Sequence, residues 1–210
     1  CRGTAGFAHV SCLAEQAKLL FAEAKENNLG DEVINQRLAR WSTCSLCEQD
    51  YHGVVACALG WACWKAYVAQ PETDPIRHFS MSRLGLGLSS AKHHEAALSV
   101  KEAELSTLRR VGASEQNVLA VQSNLATTYQ RLGRHEEAVR MERDVYSGFL
   151  CVLGADNETT LRAANNYADS LRCLQRFEES RSLFLKSIPI ARRVLGESNQ
   201  ITLMMRKIYA

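Results

Sequence analysis

Residues Asn124–Gly154 read NLATTYQRLGRHEEAVRMERDVYSGFLCVLG, and their signals return forty-two residues later. Asn166-Tyr167-Ala168 answers Asn124-Leu125-Ala126. Leu174-Gln175-Arg176 answers Leu132-Gly133-Arg134, and Leu195-Gly196 answers Leu153-Gly154. The same offset taken backwards pairs Glu95-Ala96 with Glu137-Ala138 and Val111-Gly112 with Leu153-Gly154. Leu119, Leu161 and Leu203 hold a further register position. Several positions recurring at one period are the mark of a stacked repeat array.

Each unit reads as two helices. Leu125, Ala126 and Tyr129 form one apolar stripe. Leu132-Gly133-Arg134 breaks the chain, with Gly133 in the left-handed cap position. Ala138, Met141, Val145, Phe149 and Val152 follow at spacings of three and four, the stripe of a second helix. Leu153-Gly154 closes it, and Asp156-Asn157 supplies the next cap. So short a hairpin cannot bury its own apolar face, so stacked neighbours must share one core. The expected fold class is therefore all-α.

The pattern N-L-A-x-x-Y-x-x-L-G-R-x-x-E-A, closed by L-G, resembles the tetratricopeptide repeat. Its forty-two-residue period is similar to the kinesin light chain type. The resemblance covers residues 75–210 and implies a solenoid of helical hairpins. It also implies a protein or peptide partner held on the concave face formed by the first helices. Asn124 and Asn166 fall where the family's backbone-holding asparagine stands. Thr127, Arg131, Arg162, Asn165, Asp169 and Arg172 are the neighbouring groove positions, and the arginines suit acidic groups. A solvated repeat face would carry similar residues without any ligand.

The N-terminal part carries different chemistry. Cys1 is followed by His9 and then Cys12, and Cys44-Ser45-Leu46-Cys47 comes later. Zinc takes four such ligands, and two of them two residues apart grip an ion from one turn. Five ligands are one too many for one tetrahedral site and too few for two, so a piece of a larger module is expected. C-x7-H-x2-C followed by C-x2-C is similar to the second half of a RING-CH (RING-variant) zinc finger. That resemblance makes residues 1–50 a truncated zinc-finger module ahead of the repeats. It puts His9 and Cys12 on one Zn2+ and Cys1, Cys44 and Cys47 on the other. It also implies a ubiquitin-conjugating enzyme as partner and a ubiquitin ligase that works by positioning alone. Gln16 stands where the family usually has Trp, and Glu48 follows the last ligand. Both favour a non-catalytic adaptor in which zinc is structural. A PHD-like histone-binding finger shares the ligand order but has a shorter cysteine-to-histidine spacing.

The remaining signals are plainer. Residues 51–74 read as a capping helix rich in Val54, Val55, Leu59, Trp61, Trp64 and Tyr67, then the loop Pro71–Pro75. Only Lys65 is basic there, which argues against a nucleic-acid stacking platform. The net charge of +2 implies no polyanion, and no apolar run is long enough for a membrane span. Of eight cysteines, Cys57, Cys63, Cys151 and Cys173 lie in helical patterns and are expected as core hydrophobes. Helical repeats without staples point to an intracellular, cytoplasmic setting. His93, His94 and His135 are expected to be solvated. Pro189 should kink the last long helix near Leu185. A chain that opens on Cys1 reads as a fragment, and Ile201–Tyr209 reads as the start of another first helix. No G-x-S-x-G, phosphate loop or H-E-x-x-H motif appears, so no catalytic side chains are expected.

Overall fold

The computed structural model describes residues 9–209. These residues form ten α-helices, a short 3-10 turn and one isolated bridge between Thr43 and Asp50. The fold is all-α, and no described helix is long and apolar enough to cross a membrane. The chain divides into two compact units, one ending at Thr107 and one starting at Leu108.

The first unit begins with α1 (Val10–Glu26), α2 (Asp31–Leu38) and the turn Ala39–Trp41. It continues through α3 (Gly53–Tyr67), α4 (Pro75–Ser90) and most of α5 (His94–Arg110). Asp74 caps α4 by accepting from the Ile76 N–H at 2.9 Å, and Pro75 takes the first helical position, where no N–H is needed. Ala17, Trp41, Cys63, Tyr67 and Ile76 make one core cluster, with the Trp41 and Phe21 rings edge-on to Tyr67. The α3–α4 crossing is backbone against backbone. A Cβ on Gly60 would stand 2.7 Å from the Arg83 carbonyl oxygen, and one on Gly87 would stand 2.5 Å from that of Ala56. Val54 and Trp61, placed on the apolar helix by the sequence, are exposed, because α3 buries only the side bearing Leu59, Cys63 and Tyr67.

The second unit is the regular part: α6 (Glu115–Arg131), α7 (His135–Leu153), α8 (Glu158–Cys173), α9 (Phe177–Leu195) and α10 (Gln200–Tyr209). Ser114, Asn157 and Asn199 cap the first helices through their side-chain oxygens. The hairpin turns are built alike. The N–H of Arg134 reaches the Tyr129 carbonyl, and that of Arg176 reaches the Leu171 carbonyl, both at 2.9 Å. Gly133 takes φ +74 as expected, and Gln175 takes φ +58 at the matching place. After the second helices, Gly154 (φ 81, ψ 170) and Gly196 (φ 89, ψ 163) adopt a conformation essentially reserved for glycine, which explains the recurring Leu-Gly pair.

Three expectations change. The first hairpin turn has its matching bond from His93 to Leu88, so Arg134 follows His93 by forty-one residues, not forty-two. Ala97, not Ala96, is the buried partner of Ala138, and the first repeat is one residue shorter, with α5 ending at Arg110 and cap bonds at Gly112 that differ from those of Gly154. Of the four helical cysteines only Cys63 is fully buried. Cys57 is half-buried, Cys151 lies off the Val145–Phe149 stripe and is exposed, and Cys173 is exposed at the end of α8. His93 is exposed, but His94 and His135 are half-buried because each opens a second helix against its hairpin. Pro189 lies inside α9. Proline has no N–H for the Leu185 carbonyl, which lies on an exposed residue.

Candidate functional site

The repeat face is built by α6 and α8. These helices are connected directly: the Gln130 side-chain amide donates to the Ser170 hydroxyl. Leu125, Ala126 and Tyr129 on α6, and Leu161, Ala164, Ala168 and Leu171 on α8, are buried and fix the rotation of each helix. The side chains left over present one polar strip. Asn124 and Asn166 stand in the same register, both half-buried. Thr127 donates to the Ser123 carbonyl at 3.1 Å, so its hydroxyl is partly engaged by its own helix. Arg131 is exposed at the end of α6.

The charged members of α8 are already paired. Arg162 meets Glu158 at 2.7 Å, and Arg172 meets Asp169 at 3.2 Å, all four side chains being well exposed. Such exposed pairs are worth about 0–1 kcal/mol, so an acidic ligand displaces them at little cost. Asn165 is different. It is 4% exposed, its Oδ1 has no hydrogen-bond partner among the described residues, and it presents almost no surface to a ligand.

The second arrangement is the turn holding Cys44 and Cys47. The Cys44 N–H donates to the Gln49 carbonyl at 2.9 Å, and the Glu48 N–H donates back to the Cys44 carbonyl at 3.0 Å. Glu48 takes φ +56, which lets the chain turn tightly after Cys47. Outside this loop Thr43 and Asp50 bridge, and the Thr43 hydroxyl donates to Asp50 Oδ1 at 2.9 Å. The backbone N–H groups of Leu46 and Cys47 point at the Cys44 sulfur, the first at 3.5 Å, and hold its thiol below the usual cysteine range. Burial raises the neighbouring Tyr51, whose hydroxyl bonds the same sulfur. N–H donors aimed at sulfur favour a thiolate, the form that binds metal.

His9 and Cys12 sit at the start of α1, both exposed, with His9 at the N-cap and its side chain making no capping bond. The sequence signal for them was spacing alone; the structure adds that they occupy adjacent turns of one helix end. Among the described residues no three His, Cys, Asp or Glu side chains converge on one point. His9 and Cys12 thus do not join Cys44 and Cys47 in one cluster among the described residues. Cys1, expected to join Cys44 and Cys47, lies outside the described residues.

Comparison with known proteins agrees with the repeat geometry. The tetratricopeptide repeat family matches residues 118–157 and 160–200. Among solved structures, a Podosopora anserina protein described as a kinesin light chain with nearly identical TPR-like repeats superimposes with a TM-score of 0.61. It is 16% identical, over 97% of this chain and 86% of that one. A singly substituted form of the same protein gives 0.62 at 15% identity with the same coverage. BtubC (BKLC) from P. vanneervenii gives 0.55 at 14% identity, over 95% of this chain and 63% of that one. A search of curated proteins gives no match. At these identities the likeness concerns the fold. Residues 118–157 and 160–200 thus match the tetratricopeptide repeat, on an all-α fold similar to those solved structures.

Proposed function

We propose that the chain recruits a protein partner by holding an extended peptide along α6 and α8. The observation that supports this most directly is the matched placement of Asn124 and Asn166 on two adjacent helices. A side-chain amide both donates and accepts, so a repeated asparagine can bond a peptide backbone without regard to its sequence. Arg131, Arg162 and Arg172 add a preference for acidic side chains. Selection from a displayed library of random linear peptides tests the reading. Peptides enriched on the parent chain should bind the Asn124→Ala/Asn166→Ala variant at least tenfold more weakly. Equal affinity for both would end the proposal.

The Cys44 turn supports a second element of the reading, a zinc-binding RING-CH-like module coupled to the repeats. Cys44 and Cys47 would serve one ion together with Cys1, and His9 and Cys12 the other. The ions would supply rigidity to the segment, since metal binding in such modules is folding energy. If the module also docks a ubiquitin-conjugating enzyme, the chain is the substrate-recruiting part of a ligase; if not, it is an adaptor. Titration with Co2+ checks the metal. A thiolate-to-cobalt charge-transfer band should appear and vanish in Cys44→Ser/Cys47→Ser, whereas an unchanged band would exclude these ligands. Ubiquitin discharge from loaded conjugating enzymes then separates ligase from adaptor.

A further inference from the structure

A pocket of about 510 Å³ lies within the first unit. Its walls are the last turns of α1, the short helix α2, the end of α3 and the start of α4. The volume falls in the range of roughly 300–1,000 Å³ in which pockets enclose a whole small molecule, more than one side chain fills. No end of the described chain lines it. α1 reaches it through Phe21 and Lys25, whereas His9 stands at the other end of that helix, about 18 Å back along its axis. The lining is apolar but not closed over. α2 buries none of its eight residues, although Ile34 and Leu38 are apolar and line the pocket. Phe21 and Phe79 pack against the Tyr67 core cluster, stay half-buried and line the pocket as well.

The polar groups around this lining favour one sign of charge. Lys25 is exposed at the edge and forms no ion pair among the described residues. Asp74, the acid of the lining, is already committed: its Oδ1 accepts from the Ile76 N–H at 2.9 Å and caps α4, whose positive end it meets. Asn35 and Gln70 add side-chain amides, which donate as well as accept. Tyr67 in the wall is 8% exposed, and its hydroxyl is buried without a hydrogen-bond partner among the described residues. A buried polar group left so is costly, and a ligand oxygen at the wall removes that cost. A hydrocarbon would satisfy none of these groups. A molecule that ends in a carboxylate pairs with the lysine through a charge-assisted bond while its body covers the apolar wall.

We infer that this pocket binds a small apolar carboxylic acid, its body against Phe21, Ile34, Leu38 and Phe79 and its carboxylate at Lys25. The site belongs to the first unit, whereas the peptide strip of α6 and α8 belongs to the second. Occupancy buries the apolar residues of α2, so binding and the anchoring of that helix are one event.

The test uses the whole chain and three fluorescent probes that share one apolar body, read by anisotropy: pyrenebutyrate, pyrenebutanol and pyrenebutylamine. The acid should bind about tenfold more tightly than the alcohol, the worth of one charge-assisted hydrogen bond, and more tightly still than the amine. Lys25→Met, at an exposed position, should bring the acid to the affinity of the alcohol and leave circular dichroism that of the parent. Ile34→Asp should weaken the acid about tenfold or more, by setting a second charge against the apolar body. Equal binding of acid and amine, or a preference for the acid that survives Lys25→Met, would overturn the proposal. So would displacement of pyrenebutyrate by a short peptide ending in phenylalanine with a free carboxylate at least as readily as by naphthaleneacetate, since the occupant would then be a chain terminus.

Discussion

At the place where α9 buries Phe184, α7 buries Glu142. Both side chains are almost wholly withdrawn from solvent, at 1% and 0% exposure. Phe184 belongs to the cluster with Leu161, Ala164 and Met205. Neither Glu142 oxygen has a hydrogen-bond partner among the described residues, and burial pushes its carboxyl up to about 8. The corresponding residue of α5 is Lys101, also buried, whose Nζ donates to the Ser89 hydroxyl at 3.0 Å. One repeat position thus accepts a phenyl ring, a carboxylic acid and an ammonium. The hairpin geometry is held by the turns and the flanking apolar positions, and this site is where the repeats differ in what their stability depends on.

The sharpest way to break the comparison is Phe184→Glu, which gives α9 the residue of α7. Leu161 and Met205 offer no partner, so the change should cost about 4 kcal/mol or more and unfold the second unit. Urea denaturation followed by circular dichroism reads the loss. A midpoint equal to the parent's would mean that the two positions are not equivalent.

The converse change, Glu142→Gln, separates burial from charge. The folded carboxyl holds its proton to about pH 8, whereas the unfolded one releases it near its ordinary value of 4.5. Between those values the native state binds the extra proton, so stability is full below the lower pH and falls as pH rises toward the upper one. Glutamine has no such proton. The variant should match the parent within about 1 kcal/mol at pH 5 and exceed it by on the order of 3 kcal/mol at pH 8. Glu104, raised to about 7 mainly by burial, leaves a residual slope of the same sign below pH 7. The slope between pH 7 and 8 should therefore disappear in Glu142→Gln. Identical pH profiles would show that Glu142 is solvated.

The smallest difference lies in the hairpin turns, Gly133 in one repeat and Gln175 in the next. Gln175→Gly removes left-handed strain from a side-chain-bearing residue and should stabilise by about 0.5–1 kcal/mol, with Gly133→Gln losing a similar amount. Thermal melts would show both, and shifts of the same sign in the two variants would contradict the equivalence of the turns.

The hairpin boundaries were legible because Leu-Gly endings, Asn caps and three-four spacing are local signals. Glu142 was not read as core, although it fits the stripe Ala138, Glu142, Val145, Phe149 better than Met141 does. Its neighbours Arg140, Arg143 and Asp144 gave it the look of a solvated charge run. The one-residue slip in the first hairpin escaped because Glu95-Ala96 and Ala97 offer two registers, and only burial chooses between them. For the cysteine turn, spacing marked Cys44 and Cys47, but not the N–H groups that face the Cys44 sulfur. Asn165 looked like its neighbour Asn166; that the first is buried and the second only half-buried follows from helix rotation, which Leu161 and Ala168 set.

The α3–α4 crossing has a consequence of a mechanical kind. A layer of side chains between two helices is compliant, since rotamers can shift to absorb a displacement. Two backbones in contact at Gly60 and Gly87 have no such layer. The joint acts as a hard stop: α3 and α4 carry load together as one rod, and deformation of the first unit is diverted to its side-chain-packed contacts. Sequence drift is closed at those two glycines for the same reason, because even a methyl group would act as a wedge.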